Sequence, residues 1–186
     1  MGLQKYKAKR DFTQTPEPEG KLASSHQQRL HFVVQKHQAS HLHYDFRLEI
    51  DGVLKSWAIP KGPSLNPNDK RLAIQVEDHP LDYRHFEGRI PEGSYGAGTV
   101  IIWDEGTYHA MQANDAQENE QQIREGLQAG HLNIILEGHK LKGAFSLIRF
   151  KKGSEKQWLL IKQQDAFTSS KDIREQEHSV RSEKTL

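Results

Sequence analysis

The segment HLHYDFRLEIDG, residues 41–52, alternates polar and apolar side chains, and its polar positions carry groups that can do chemistry. Residues two apart on a β-strand share a face, so His43 and Asp45 present an imidazole and a carboxylate to one small volume, with Arg47 next to them. His37 lies six residues before His43 and can join this group if the chain turns at QASH. These four side chains define the candidate site.

Two histidines and one aspartate are an adequate ligand set for a divalent metal such as Mn²⁺, Fe²⁺, Zn²⁺ or Co²⁺, and they leave coordination positions for water or substrate. An arginine beside such a site repels the cation unless an anion lies between them. The pairing with Arg47 therefore favours a phosphate that contacts both the metal and the guanidinium. The alternative is an ordinary polar sheet face, because a chain with 11 histidines places some of them together by chance.

Further side chains suited to a phosphate and a sugar hydroxyl are Lys61, Arg71, His79 and Tyr83. Each of them alone is typical of a surface residue, whereas together they would form a pocket. The glycines of PEGSYGAGT do not form a nucleotide-binding loop, since their spacing fits neither the P-loop nor the dinucleotide fingerprint and a strand follows them. They indicate a turn that allows close approach of the backbone.

The elements that must position these residues are mainly strands. Strand patterns occur in HFVVQKH, LHYDFRLEI, VLKSWAI, RLAIQVE, TVIIWD, HLNIILEGHKLKGAFSLIRF and QWLLIK. Asp51-Gly52 predicts a tight hairpin. One helix is predicted in DAQENEQQIREGLQAG, with Asp115 as N-cap and Gly130 as its end. About eight closely spaced strands with one or two short helices predict a mainly β fold, a barrel or a sandwich.

Composition and charge set limits on the class of protein. The chain has no cysteine, which excludes disulfides and thiolate metal sites. It shows no apolar segment suited to a signal peptide or a membrane span, so we expect a cytoplasmic protein that does not contact a membrane. Residues 1–36 and 140–162 each hold seven Lys or Arg, against three and one acidic residues, while residues 104–125 hold six acids against one Arg. The basic segments could bind a polyanion or form a solvated face.

Three stretches resemble the 3′-phosphoesterase domain of the bacterial DNA ligase D family. They are FVVQKHQASHLHYDFRLEIDGVLKSWAIPKGPS, VEDHPLDYRHFEGRIPEGSYGAGTVIIWDEGTY and GHKLKGAFSLIR…QWLLIK, within a resemblance from about Lys9 to Lys162. The resemblance implies a small closed or nearly closed β-barrel with an active-site groove on its surface. It also implies a Mn²⁺-dependent enzyme that removes a 3′-terminal ribonucleoside, a 3′-phosphate or both, and leaves a 3′-hydroxyl that a ligase can seal. Co²⁺ and Zn²⁺ are the other candidate metals.

The resemblance also assigns residues position by position. His37, His43 and Asp45 match metal ligands, and Arg47 and His79 match phosphate-contacting residues. Other active-site positions are matched by Lys61, Arg71, Glu77 and Tyr83, and by Arg10, Asp11 and Glu17 in an N-terminal segment. We therefore expect an N-terminal arm, residues 1–30, to pack near the active site of a barrel formed by residues 31–166, with a disordered polar tail at residues 167–186.

The expected partners are DNA 3′ ends, above all a primer-template that carries a terminal ribonucleotide or a 3′-phosphate. The stretch printed here contains no polymerase or ligase portion, so we expect a free-standing domain that relies on a separate ligase, polymerase and end-binding protein during DNA repair by end joining. Two other functions stay open. One is a cupin-type metal oxygenase, although Arg47 is hard to explain beside iron, and the other is a non-catalytic module that binds DNA ends through its basic segments.

Overall fold

The computed structural model describes residues 2–20, 29–150 and 154–186. The strands in these ranges are β1 Leu30–Gln38, β2 Leu42–Ile50, β3 Val53–Ile59, β4 Arg71–Pro80, β5 Gly88–Ile90, β6 Gly98–Ala110, β7 His131–Gly138, β8 Lys142–Arg149 and β9 Gln157–Lys162. The helices are α1 Gln4–Ala8, α2 Ala116–Ala129 and two short 3₁₀-helices, Leu81–His85 and Ile173–Glu175. In this part of the chain, no helix has the length and apolar content needed to span a membrane.

The strands form one antiparallel sheet that closes on itself. Its order is β1-β2-β3-β4-β9-β8-β7-β6, and β1 also pairs with β6, which completes a barrel of eight strands. Strand β5 lies outside this closed set and pairs with β6. The predicted mainly β fold, with a small closed barrel of about eight strands, is therefore confirmed.

The β2–β3 hairpin sets the face on which the candidate site lies. Asp51 and Gly52 have φ angles of 52° and 76°, the two positive values that a type I′ turn requires. This turn pairs Ile50 with Val53 and fixes the register along both strands. A slip of one residue would move every side chain of β2 to the opposite face. The predicted Asp-Gly hairpin therefore determines on which face His43, Asp45 and Arg47 lie.

The apolar residues of the barrel strands point inward. Phe32, Phe46, Trp57, Trp103 and Trp158 are almost completely buried in one continuous core. The polar side chains of β2, from His43 to Glu49, lie on the outer face, which is consistent with the period of two along a strand. The barrel interior therefore forms the hydrophobic core, and chemistry is left to the outer surface.

Helix α2 forms as its sequence predicts. The carboxylate of Asp115 accepts a hydrogen bond from the backbone N–H of Glu118 at 2.8 Å, and Gly130 ends the helix in the left-handed region at φ 76°. Ile123 is fully buried and belongs to the core of the barrel. Asn119 of the same helix is also buried, and its side-chain oxygen accepts a hydrogen bond from the backbone N–H of Ala110 at 2.6 Å.

Residues 2–20 of the N-terminal arm pack on the outside of the barrel. Tyr6 in α1 is fully buried, and its hydroxyl donates to the carbonyl of Pro18 at 2.6 Å. It belongs to a second apolar cluster that includes Tyr83 and Phe86. The predicted arm extended to residue 30, and residues 21–28 lie outside the described residues.

The C-terminal residues pack onto the barrel, which differs from the disorder expected for residues 167–186. Ile173 is only 8% exposed and joins the main core, and the indole N–H of Trp103 donates to the carbonyl of Gln176 at 2.7 Å. The physical reason is that the segment is held by one apolar anchor and by hydrogen bonds to its backbone. Local composition, which is polar and charged, does not reveal such contacts.

A substitution of Ile173 tests this packing. Ile173→Ala should lower the free energy of unfolding by about 2–5 kcal/mol, because a buried isoleucine leaves a cavity when it is truncated. Leu186→Ala, at a residue that is 38% exposed, is the matched control and should change stability little. Chemical denaturation monitored by tryptophan fluorescence measures both. Equal stability of the two variants and the parent would contradict the packing of this segment.

Candidate active site

A cavity of about 300 Å³ lies on the outer face of the barrel, under the N-terminal arm. Nine of the twelve residues predicted from the sequence line it, so the structure brings most of the predicted site together. They are Arg10, Glu17, His37, His43, Asp45, Arg47, Glu77, His79 and Tyr83.

The candidate metal ligands come from two neighbouring strands. His37 of β1 is directly opposite His43 of β2, and Asp45 follows two residues later on the same face. One ligand atom from each of the three lies within 4.8 Å of the others. Asp45 is paired on β3 with Ala58, whose small side chain also lines the cavity. A large residue at that position would fill the space in front of the carboxylate.

The protonation and orientation of the cluster suit a cation. The Nδ1 atom of His43 lies 3.0 Å from the carbonyl of His41, so Nδ1–H donates there, and Nε2, 3.5 Å from Asp45, is the nitrogen that faces the cluster. Burial disfavours the charged forms, but the charge of Arg47 holds the pKa of Asp45 well below its usual range. Burial likewise lowers the pKa of His43, yet its hydrogen bond to Asp45 outweighs this and raises the pKa, so a proton shared with Asp45 and a metal ion compete for the same Nε2 atom.

The chemistry of this donor set fits a divalent metal of intermediate softness, because two imidazoles and one ionised carboxylate converge on a small volume. His37 adds a further observation. Its Nε2 atom is buried without a hydrogen-bond partner among the described residues, while its Nδ1 atom lies 3.7 Å from Asp45. Unpaired buried nitrogens are rare in folded proteins, and a bound ion is one of the explanations for such an atom. His41, the exposed neighbour, takes part through its carbonyl and not through its imidazole.

Arg47 lies beside the cluster and is held on two sides. One guanidinium nitrogen lies 3.2 Å from the carboxylate of Asp45, and Nε donates to the side-chain oxygen of Gln35 at 2.7 Å. The amide nitrogen of Gln35 in turn donates to the carbonyls of Tyr83 and Phe86 at 2.8 and 3.1 Å. The remaining terminal nitrogen of Arg47 is buried without a hydrogen-bond partner in the described part of the chain. A buried donor of this kind can bind an anion in the cavity.

Gln35 was missed by sequence reasoning. The available signal was its polarity within the apolar segment HFVVQKH, two residues before His37 and therefore on the same face of β1. A buried glutamine whose amide oxygen and nitrogen are both bonded acts as a brace, since any other side chain of that size would leave Arg47 or the two carbonyls unpaired.

The N-terminal arm contributes a buried ion-pair network to the cavity wall. Arg10 lies 3.0 Å from Glu17 of the arm and 3.3 Å from Glu77 of β4. The hydroxyl of Tyr83 donates to Glu17 at 2.8 Å, and burial raises the pKa of Tyr83 well above its usual value. Tyr83 therefore stays protonated and ties the arm to the barrel.

His79 is buried between these groups and is neutral. Burial first, and then the charges of Arg47 and Arg10, hold its pKa well below the usual value. Its Nδ1 atom lies 2.9 Å from the carbonyl of Glu77, and its Nε2 atom lies 3.4 Å from Arg10. The consistent assignment is that Nδ1–H donates to the carbonyl and Nε2 accepts from the arginine.

Three predicted residues do not line the cavity. Lys61 is exposed, and Arg71 lies at the far end of β4 from His79, about 26 Å away along the strand. Asp11 is exposed, and its carboxylate accepts hydrogen bonds from the backbone and hydroxyl of Thr13 at 3.0 and 2.6 Å. Their assignment to the active site stays a prediction of the resemblance.

Two further cavity-side residues escaped the sequence reasoning. Tyr95, in the turn between β5 and β6, lines the cavity. The ammonium of Lys9 donates to the hydroxyl of Tyr95 at 3.2 Å and to Glu77 at 3.1 Å. The glycine-rich turn that sequence analysis excluded as a nucleotide loop therefore lies at the site.

Comparison with known proteins gives one consistent result. A family model described as the DNA ligase D 3′-phosphoesterase domain matches residues 35–149, which include all three candidate metal ligands. The multifunctional non-homologous end joining protein LigD of Pseudomonas aeruginosa is 52% identical over 99% of this chain and 22% of its own length. The corresponding proteins of Mycobacterium tuberculosis and Mycolicibacterium smegmatis are 44% and 39% identical, over 79% and 88% of this chain and 18% and 21% of their own lengths.

The chain thus spans about a fifth of the curated relatives it matches. Both the extent of the family match and the identity to the Pseudomonas protein agree with the resemblance inferred from the sequence. The chain belongs to the DNA ligase D 3′-phosphoesterase domain family.

Proposed function

We propose that this chain is a metal-dependent phosphoesterase that processes DNA 3′ ends, removing a terminal ribonucleoside, a 3′-phosphate or both. The observation that carries the proposal is the convergence of His37, His43 and Asp45 on one side of a cavity with the unpaired nitrogen of Arg47. A metal site and a fixed hydrogen-bond donor can each bind an oxygen of a phosphate ester and stabilise its negative charge. Such an enzyme acts in DNA repair by end joining, where it prepares the 3′-hydroxyl that a ligase then seals.

The residues divide the chemistry among them. A divalent ion such as Mn²⁺, Co²⁺ or Zn²⁺, held by His37, His43 and Asp45, supplies a Lewis acid when bound. Arg47 donates to a phosphate oxygen and stabilises the negative charge that grows there during the reaction. Its position is fixed before substrate arrives, because Asp45 and Gln35 already hold two sides of the guanidinium.

His79 and the arm form the opposite wall. Neutral His79 accepts from Arg10, so it orients this second guanidinium and becomes a donor to phosphate only when it is protonated. Glu17 and Glu77 balance the charge of Arg10 and keep it in place. The wall thereby fixes a guanidinium beside the cavity without adding net charge, because Lys9 and Arg10 are balanced by Glu17 and Glu77.

A metal titration tests the ligand set. His43→Ala and Asp45→Asn should each weaken Mn²⁺ binding by more than about 100-fold, because loss of a supporting partner alone commonly costs 10- to 100-fold. His41→Ala is the matched control, since it retains the carbonyl that orients His43, and its affinity should equal that of the parent. Isothermal titration calorimetry measures all three. Parental affinity in both ligand variants would remove these residues from the metal site.

A primer-template that ends in one ribonucleotide tests the activity. Incubation with Mn²⁺ should release the terminal nucleoside or the phosphate, and gel analysis of a labelled strand identifies the resulting 3′ end. His43→Ala should lose this activity, and His41→Ala should keep it. Binding of the end without turnover by the parent would support a DNA-end binding module instead, and oxygen consumption with Fe²⁺ would support the oxygenase.

The brace on Arg47 gives a third test. Gln35→Leu should lower kcat about 10- to 100-fold, the effect expected when a hydrogen bond to a charged group is lost. Mn²⁺ affinity should stay close to the parental value, because the hydrogen bonds of the Gln35 side chain go to Arg47 and to the carbonyls of Tyr83 and Phe86. Gln38→Ala, at the exposed end of β1, serves as control. If metal affinity and kcat fall together, Gln35 acts through general stability and not through Arg47.

A further inference from the structure

Tyr95 is unlike the other residues of the cavity. Among the described residues that line it, Tyr95 alone is exposed, with 48% of its surface accessible, whereas its neighbours in the wall are buried or half-buried. Tyrosine joins a flat apolar ring to a polar hydroxyl, so the ring can pack against a partner while the hydroxyl keeps a hydrogen bond. The accessible part of the Tyr95 ring is therefore available to a flat partner in the cavity.

The ring is held in place by charge. The ammonium of Lys9 lies 4.6 Å from the centre of the Tyr95 ring and also donates to its hydroxyl, and the guanidinium of Arg10 lies 5.3 Å from the same ring. Cations beside an aromatic face attract its π electrons and restrict its motion. Tyr95 remains exposed even though Lys9 and Arg10 contact its ring, so the remaining surface is free for another molecule.

The turn that carries Tyr95 brings it next to the candidate metal ligands. Gly93 and Gly96 have φ angles of 84° and 74°, which favour glycine, and backbone hydrogen bonds from Ser94 to Pro91 and from Ala97 to Ser94 hold the turn. A Cβ atom on Gly96 would lie 3.8 Å from Cε1 of His37. The backbone beside Tyr95 thus runs against the metal cluster.

A nucleotide joins a charged phosphate to a flat base through one sugar, and complements to both parts line the same cavity. The phosphate suits Arg47 and the metal ligands, and the base suits the open ring at the rim. Stacking of bases on aromatic side chains tolerates every base, because each base has a π face.

We infer that Tyr95 is the stacking platform for the terminal nucleobase of the DNA 3′ end. The inference rests on the proposed function, and it deepens that function by naming what the site recognises beyond the phosphate. The enzyme would then detect the presence of a terminal base and not its identity. Tyr95 is a binding residue in this arrangement and takes no part in proton transfer.

The test compares Tyr95→Ala, Tyr95→Phe and Phe167→Ala on the primer-template with a terminal ribonucleotide. Phe167 is 49% exposed and does not line the cavity, so it is the matched control. Tyr95→Ala should raise KM about 5- to 150-fold, with kcat little changed, which corresponds to the stacking of one base. Tyr95→Phe keeps the ring and should stay close to the parent, as should Phe167→Ala.

A second substrate isolates the base. When the terminal nucleoside is replaced by 1,4-anhydroribitol, which keeps the sugar hydroxyls and lacks the base, the parent and Tyr95→Ala should have the same KM. An equal penalty from Tyr95→Ala on both substrates would overturn the inference. Equal damage from Tyr95→Phe and Tyr95→Ala would overturn it as well, because the hydroxyl contact with Lys9 would then matter and the ring would not.

A binding measurement separates this inference from the proposed function. A 3′-terminal 2-aminopurine changes its fluorescence when it stacks, and excess protein should produce a change with the parent and Tyr95→Phe but not with Tyr95→Ala. This signal needs no turnover. If the parent fails to process the primer-template, the proposed function fails, and the fluorescence decides the inference alone; if the parent is active and Tyr95 does not affect the signal, only the inference fails.

Discussion

The contact between Asp45 and Arg47 on the outer face of β2 is the interaction on which the site depends. Both side chains are buried, and taking two charges out of water is costly unless their geometry and hydrogen bonds are good. The side-chain oxygen of Gln35 accepts a hydrogen bond from the guanidinium of Arg47, and His37 and His43 lie beside the carboxylate of Asp45. This part of the outer face of the barrel is therefore buried, although it is polar, because the N-terminal arm covers it.

Charge balance explains why this buried polar face can exist and what it is suited to hold. The formal charges around the cavity sum to zero, three acids against three bases. They are Asp45, Glu17 and Glu77 on one side and Arg10, Arg47 and Lys9 on the other. A bound divalent cation would give the site a charge of +2, which a phosphate diester reduces and a phosphate monoester neutralises. The same wall thus suits both types of ester, because the metal and not the wall provides the excess charge.

How much the sequence predicts depends on whether the cause is local. The alternation along β2 predicts that His43, Asp45 and Arg47 share a face, because the period of a strand is a local property. The Asp51-Gly52 hairpin and the capped helix that starts at Asp115 are predicted for the same reason.

Burial of the polar face cannot be predicted in this way. It follows from contacts between residues far apart in the chain, such as Arg10 with Glu77, and such contacts leave no periodic signal. The brace from Gln35 to the carbonyls of Tyr83 and Phe86 and the anchoring of the C-terminal segment by Ile173 have the same origin.

The network of buried charges around the cavity extends beyond the segment that the family model matches. The match begins at residue 35, whereas Arg10 and Glu17 lie before it and still form part of the cavity wall. A fragment cut at residue 35 would remove both ion-pair partners of Glu77, Lys9 and Arg10, and the acceptor of the Tyr83 hydroxyl. The Pseudomonas aeruginosa relative aligns with 99% of this chain, arm included. The folded unit that completes the site is thus larger than the matched segment, because the arm and the barrel share one set of buried charges.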